Sequence, residues 1–310
     1  MKSILIFSLA LIVSCNLTAQ SVNLKYNLEK NKIYRMKSVT EQDISQTMNG
    51  DQRSSTVKNI VVLSLKMTSS DANLISADVK FDSIVFLFNM PGMSMDVNSS
   101  KSGSVSSEDP STVMNYFLNK MSKTVFNIKM TYSGGVTEIT NAKAQSDSIL
   151  SGLSLVKGQM AEMLKMRAKA MVSPESLKGM IEGFTAILPG KEVKIGDKWE
   201  NHITITSDGF STLIVNSGKL KKITGNVAEI ACDGTTEPAN QNPMEIGGMQ
   251  ISSDLRGAIK GTTTVDTKTG WIIKNSSKNN AVGTMSMKMG GNDMSMPMEV
   301  NGTVEIIGLP

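Results

Sequence analysis

Methionine is the residue type that could give this chain unusual chemistry. The sequence holds 23 methionines among its 310 residues, and a set near the C-terminus alternates with other residue types. The members of this set are Met285, Met287, Met289, Met294, Met296 and Met298. Because every second side chain of a β-strand points to the same face, a hairpin over this segment would collect these thioethers on one surface.

The spacer Gly290-Gly291-Asn292-Asp293 separates the two methionine runs. If the whole spacer forms the loop, the hairpin pairs Met289 with Met294, Met287 with Met296 and Met285 with Met298. Pro297 has no backbone N–H to donate, which predicts an edge position for its strand. A second cluster, Met90, Met93 and Met95, follows an apolar segment at residues 84–88.

Three interpretations of these methionines stay open at the level of sequence. Methionine is an adaptable filler, so the clusters could simply be core. They could instead line a plastic apolar pocket, with Met160 and Met163 of the central helical region on the opposite wall. Thioethers also select soft ions such as Cu(I) and Ag(I), which would involve Met90, Met93 and Met95 together with the C-terminal set.

Other reactive residue types give catalysis little support. The sequence lacks a G-x-S-x-G elbow, an H-E-x-x-H pair, a P-loop and a G-x-G-x-x-G turn after a strand. His202 is the single histidine and falls on the polar side of its strand, whereas Cys232 shares a face with Ala228 and Ile230. We therefore expect a protein that is not an enzyme and needs no cofactor, with a solvent-facing His202 and an inert thiol.

The net charge of +4 and the absence of a long basic block argue against nucleic-acid binding. At the N-terminus, Lys2 precedes an apolar run at residues 3–13 that is too short to span a bilayer, which is typical of a signal peptide. We predict a signal peptide at residues 1–19, cleaved after Ala19, and a chain that is periplasmic or secreted. The alternative is a lipobox ending at Cys15, which would make the protein an outer-membrane lipoprotein with a lipid anchor. No later segment is long enough for a transmembrane helix.

Residues 20–310 read as a single β-rich domain. Period-two alternation predicts strands through residues 21–141 and again through 192–307, and the similar order of strands and glycine turns suggests an internal duplication. Between them, residues 142–189 change to helical spacing. A short helix is also expected at 112–123, a long helix at 149–171, and a further helix capped by Ser173 with Pro174 in its first turn. The predicted class is α+β, a curved antiparallel sheet whose concave face is covered by the helical insert.

The segment from Ile187 to Trp199, ILPGKEVKIGDKW, resembles a family of uncharacterised secreted proteins found chiefly in Bacteroidetes, the DUF6263 type. The opening Leu24-Lys25-Tyr26 and the late Thr269-Gly270 are similar as well. This resemblance implies secretion and a β-rich fold, and it implies no activity. At the level of architecture, the sheet–helix–sheet order is similar to envelope proteins of the lipoprotein-carrier type.

These observations favour a non-enzymatic envelope protein that binds an apolar small molecule, a lipid or an apolar partner segment between sheet and helices. A soft-metal-binding protein is the first alternative. A structural or interaction protein of the surface without a small ligand is the second.

Overall fold

The computed structural model describes residues 20–48, 50–158, 160–207, 210–240, 243–246, 249–289 and 292–310. The predicted signal peptide, Ala19 and Cys15 lie outside these residues. The strands are β1 (Ser21–Leu24), β2 (Ile33–Met48), β3 (Asp51–Ser70), β4 (Leu74–Met90), β5 (Met93–Asn98), β6 (Val125–Thr131), β7 (Val136–Ile139), β8 (Lys191–Lys194), β9 (Lys198–Ser207), β10 (Phe210–Thr224), β11 (Val227–Pro238), β12 (Met244–Ile246), β13 (Met249–Ser253), β14 (Arg256–Asp266), β15 (Ile272–Met289) and β16 (Asn292–Leu309). The α-helices are α1 (Pro110–Lys123), α2 (Ala142–Ile149), α3 (Ala161–Met171) and α4 (Pro174–Thr185).

Fourteen of these strands form one antiparallel sheet. Its main order is β7-β6-β4-β3-β2-β16-β15-β14-β11-β10-β9, with β5 beside β4 and the β12–β13 hairpin beside β15. The two β-rich halves of the sequence are thus the two wings of one sheet, joined where β2 pairs with β16. In the described part of the chain the sheet is open, since its edge strands β7 and β9 do not pair with each other. This architecture confirms the predicted antiparallel sheet with a few helices.

Helix α4 contacts both edges of this sheet. Glu182 Oε1 accepts a hydrogen bond of 2.8 Å from the backbone N–H of Val136 in β7. On the other side, Ser176 Oγ donates a hydrogen bond of 3.2 Å to the carbonyl oxygen of Thr206 in β9. Because one helix reaches two strands at opposite ends of the strand order, the sheet must curl, and the face under the helices is concave.

One end of the concave face is a closed hydrophobic core. Side chains from both wings are almost fully buried there, among them Leu63, Leu65, Val79, Phe81, Phe126, Ile128, Ile230, Val265, Ile272 and Ile306. The side chains of Trp199 and Trp271 are buried in this core as well. The indole of Trp271 packs against the rings of Tyr26 and Tyr34, at centroid distances of 6.2 and 5.1 Å.

The cap predicted for α4 is confirmed, and α1 has a side-chain cap of its own. Asp109 caps α1 through its carboxylate, and Ser173 caps α4 by accepting from the N–H of Ser176. The single long helix predicted over 149–171 is wrong. The structure has α2, a short 3-10 turn at Leu153–Leu155 and then α3, because Gly158 adopts a φ of +100° that a continuous right-handed helix cannot contain.

Two glycines of α4 give opposite predictions for the same substitution. A Cβ on Gly179 would lie 2.4 Å from the carbonyl oxygen of Thr204 in β9, whereas a Cβ on Gly183 meets nothing within 4 Å. We expect Gly183→Ala to raise the free energy of unfolding by about 1 kcal/mol, the difference in helix propensity. Gly179→Ala should lower the free energy of unfolding by roughly 1–3 kcal/mol, since the helix must move off the sheet edge. Urea denaturation of both variants measures this, and equal effects would contradict the packing of α4 on β9.

Glu182 makes the contact between α4 and β7 sensitive to pH. Its burial raises the pKa of the carboxyl above the ordinary value, although the N–H of Val136 and the Lys178 amine, 3.9 Å away, oppose this. A raised pKa in the folded state means that the folded protein holds this proton more tightly, so the contribution of Glu182 to stability falls as pH rises from its ordinary pKa through its folded pKa. Glu182→Gln keeps the acceptor oxygen without the charge. In denaturation experiments, we expect the free energy of unfolding of this variant, relative to wild type, to increase as pH rises across that range. A difference between the two proteins that does not change with pH would contradict the raised pKa of Glu182.

Candidate functional site

The C-terminal methionines lie on the predicted hairpin, with a different register. Met285 pairs with Met296 and Met287 pairs with Met294, while the backbone of Met289 pairs with Asn292. Met298 is opposite Gly283, so the predicted pairs Met289–Met294, Met287–Met296 and Met285–Met298 are wrong. Asn292 and Asp293 extend β16 and do not belong to the loop. Because the error is two residues on one strand, the methionines keep the face that the alternation predicts.

Strand β16 as a whole lies between β15 and β2, but Pro297 itself is at a local edge of the sheet, as its missing N–H suggests. Pro297 pairs with Thr284 of β15, and the pairing of β16 with β2 starts one residue later, with Met298 opposite Gln46. The missing N–H therefore falls just outside the ladder that β16 forms with β2, where no donor is needed.

The second methionine cluster lies on the hairpin of β4 and β5. Pro91 and Gly92 form its turn, and Gly92 has a φ of +83°, a conformation that glycine adopts without strain. Met90 is opposite Met93, and Met95 is opposite Phe88. Val97, two residues further along β5, is buried in the core, which assigns Met95 and Met93 to the concave side of the sheet.

Both clusters lie on the concave face, at the same end of the sheet. A row of paired residues crosses the sheet from Phe88 through Val57, Gln42 and Gly302 to Asn279. Met90 lies beyond this row on β4, and Met298 lies beyond it on β16, in the direction that leads away from the core. We call the surface formed by Met90, Met93, Met95, Met285, Met287, Met294, Met296 and Met298 the concave methionine surface. The side chain of Met289 lies outside the described part.

The concave methionine surface is only partly covered. Met296 is buried, with 6% of its surface exposed, but Met294 is 37% exposed and Met93 is 46% exposed. The other members are half-buried. This contrasts with the core end of the same face, where the side chains named above are almost fully covered. An open hollow of about 410 Å³ adjoins Met90 at the hairpin turn and is lined by Ser55, Asn89 and Pro91 as well.

The helical wall predicted opposite this surface is exposed. Helix α3 buries Ala161, Leu164 and Ala168, while Met160 and Met163 are 38% and 42% exposed. Arg167 is one turn after Met163 on the same side of the helix, and its guanidinium lies 5.2 Å from the centre of the Phe86 ring. Phe86 is a concave residue of β4, two residues from Phe88. The side of α3 that carries Met163 therefore adjoins the concave face next to the second cluster.

Several residues beside the methionines were missed by the sequence reasoning. Phe86, Phe88 and Val57 share the concave face with them, and Ile251 of β13 pairs with Met287. Residues 84–88 show no alternation of apolar and polar side chains, because Val85 and Leu87 on the outer face are apolar too. The pairing of Ile251 depends on a strand that only the folded sheet places beside β15.

The structure places His202 on the solvent-facing side of β9, as predicted, and leaves Cys232 half-buried beside Ile230. The imidazole of His202 is exposed and lies 4.0 Å from the Glu200 carboxylate. Burial raises the pKa of the Cys232 thiol, whose sulfur lies 3.3 Å from Thr263 Oγ1, so little thiolate is available for reaction. Within the described ranges, no group of three or more His, Cys, Asp or Glu side chains is arranged to hold a metal ion. None of the helices described there has both the length and the apolar composition needed to cross a membrane.

The outer face of the sheet differs in character from the concave face. It carries ion pairs such as Lys58–Glu41 and Lys274–Glu305, at 2.6 and 2.7 Å. An open hollow of about 810 Å³ on this side is lined mainly by polar and charged side chains, including Lys260 and Lys278. The apolar side chains that could receive a ligand are therefore concentrated on the concave face, although a smaller group that includes Val85 and Leu87 lies outside.

The fold defines a protein of mostly antiparallel β-sheet with a few helices packed on one face. The chain belongs to the Family of unknown function (DUF6263), whose model matches residues 72–272, and this confirms the resemblance seen in the sequence. Among curated proteins, none matches this chain at a significant level.

The solved structures that match this chain have very different sequences. Lipovitellin is 8% identical, with a TM-score of 0.48, and the match covers 92% of this chain and 26% of that one, about a quarter of its length. An outer membrane channel from Pseudomonas putida F1 is 6% identical, with a TM-score of 0.28 and coverages of 92% and 98%. OprD from Pseudomonas aeruginosa is 5% identical, with a TM-score of 0.25 and coverages of 93% and 98%.

Proposed function

We propose that this protein binds an apolar ligand, or an apolar segment of a partner, on its concave methionine surface and does not catalyse a reaction. One observation carries the proposal. Two hairpins that are far apart in the sequence present their methionines on the same concave face, beyond the end of the closed core, where most of these side chains are half-exposed. In this arrangement a cargo would lie between the curved sheet and helix α3.

Partial exposure favours this function over the interpretation of the methionines as core. Methionines that serve as core in this protein are buried, as Met36, Met121 and Met130 are. Of the C-terminal methionines whose side chains are described, Met296 alone reaches that degree of burial. Exposed apolar side chains gathered on one surface are typical of a binding site.

The chemistry of methionine fits a ligand with varied apolar parts. Its side chain is unbranched, flexible and polarizable, so a surface of several methionines can repack around different shapes. Burial of apolar surface contributes roughly 25 cal/mol per Å², so a ligand that removes about 200 Å² of this surface from water would gain about 5 kcal/mol before the cost of association.

A matched pair of valines on neighbouring strands tests the proposed function. Val300 of β16 is half-buried on the concave face, between Ile44 and Ala281. Val282 of β15 is 54% exposed on the outer face, opposite Glu299. Val300→Lys adds a charge beside the methionines, and we expect it to weaken binding of the neutral probe N-phenyl-1-naphthylamine by at least about tenfold, which corresponds to about 1.4 kcal/mol.

The control Val282→Lys adds the same charge to the other face and should leave the affinity for the probe within about twofold of wild type, since the surface it alters is not the site. Fluorescence titration measures both affinities, and thermal unfolding checks that both variants fold. If the two variants bind equally well, or if wild type does not bind the probe, the concave methionine surface is not an apolar binding site. If wild type binds the probe and Val300→Lys weakens this binding, native mass spectrometry of protein purified from its own cells would identify the natural ligand.

We also propose that the chain is exported to the cell envelope or beyond, on the evidence of its N-terminal sequence. The intact mass of the mature protein from its native cells should correspond to a chain that begins at Gln20, because Ala19 offers the small residue that signal peptidase requires. A chain that begins at an acylated Cys15 would establish the lipoprotein alternative. A chain that retains residues 1–19 would contradict export.

A further inference from the structure

Four methionines of the β15–β16 hairpin form two adjacent cross-strand pairs. Met285 is opposite Met296, and Met287 is opposite Met294. Both pairs lie on the concave face, and consecutive members of each strand are two residues apart. The four side chains therefore occupy the corners of a rectangle, which we call the methionine square. This arrangement arises from the observed register, since the register predicted from the sequence gives different pairs.

The dimensions of this rectangle allow the sulfurs to converge. Directly opposite residues in an antiparallel pair have Cβ atoms about 4.5–5.5 Å apart, and diagonal neighbours are about 7–8 Å apart. The centre of the rectangle is thus about 4 Å from each Cβ atom. A methionine side chain has three rotatable bonds, so each thioether can turn toward a single point above that centre.

Thioethers determine which ion such a centre accepts. They are soft, neutral ligands, and soft ligands select Cu(I) among the biological first-row metals, while oxygen-binding ions such as Mg²⁺ or Ca²⁺ require carboxylate or carbonyl ligands. Ag(I) is a soft monovalent ion of the same kind. Met296 is buried and its three partners are half-exposed, so an ion could enter from solvent and would then be partly shielded from water.

The second methionine cluster is less suited to the same role. It contains one opposed pair, Met90 and Met93, because Met95 is opposite Phe88. Met93 is also 46% exposed and lies directly at the hairpin turn. The soft-ion hypothesis, which included both clusters, is therefore narrowed to the methionine square, which has twice as many opposed thioethers as the cluster of Met90, Met93 and Met95.

We propose that the methionine square, formed by Met285, Met287, Met294 and Met296, is a binding site for one soft monovalent metal ion, Cu(I) or Ag(I). This site does not depend on the proposed binding of apolar ligands, because it follows from the pairing of four thioethers and not from the openness of the surface. No oxidation or reduction of the ion is involved.

Ag(I) titration of the full chain tests this site. Thiols bind Ag(I) strongly, so the experiment uses a Cys15→Ala, Cys232→Ala background from which both cysteines have been removed. With methionine methyl groups labelled with ¹³C, we expect one Ag(I) per chain by native mass spectrometry. The methyl resonances of the methionine square should shift together, while those of Met160, Met163 and Met166 on α3 should not move.

Substitution by leucine separates metal ligation from apolar character. Met287→Leu with Met296→Leu removes one sulfur from each pair and conserves volume, so the fold should be retained, which thermal unfolding checks. We expect the affinity for Ag(I) to fall by at least about tenfold, since even partners outside a ligand set change metal affinity by that factor. The matched control is Met160→Leu with Met163→Leu, which should leave the Ag(I) affinity unchanged.

Three results would overturn the proposal. The first is the absence of a bound ion in the thiol-free background. The second is an Ag(I) affinity that the Met287→Leu, Met296→Leu variant shares with its control. The third is a set of methyl shifts spread over methionines outside the square. Because the leucine variant conserves apolar volume, loss of Ag(I) binding in a folded variant would establish the metal site whether or not the apolar probe binds.

Discussion

The packing of α4 against both edges of the sheet is the contact on which the rest of the structure depends. An edge strand presents unpaired N–H and carbonyl groups that must find partners when they are buried. Glu182 satisfies such a group on β7, and Ser176 does so on β9. The phenol of Tyr26, fully buried, adds a hydrogen bond of 3.0 Å to the carbonyl oxygen of Thr185 at the end of the same helix. One helix thereby holds two distant strands near each other and gives the sheet its concave side.

The helices are too few to fill that concave side along its whole length. Strands such as β3, with 20 residues, and β16, with 18, extend well past the closed core. At the core end, helices and loops cover the apolar side chains, and at the far end the same face continues with less cover. Methionine suits this position because its flexible side chain is compatible both with solvent and with a variety of partners. The binding chemistry that we propose is therefore a consequence of where the helical cover stops.

Much of the local structure could be predicted, for reasons that particular residues make clear. The faces of the methionine strands were correct, because alternation is a property of the strand itself. Their register was wrong by two residues, because loop length depends on whether Asn292 and Asp293 join the strand, and composition alone favours a loop. The prediction of one long helix was wrong because the spacing of apolar residues does not reveal the left-handed conformation at Gly158. The sequence did not reveal that Phe86 and Phe88 lie beside the methionines on the concave face, because their neighbours on the outer face are apolar too.

The sequence alone was enough to predict the strand faces, the cap at Ser173, the glycine turns and the membership of the family, since each depends on neighbouring residues or on a pattern along the chain. Only the tertiary structure decided that β2 pairs with β16, that the two methionine hairpins share one end of one face, and that Met285 meets Met296. These relations join segments from opposite ends of the chain. They depend on the order of strands in the sheet and on the register between them, which no local spacing encodes.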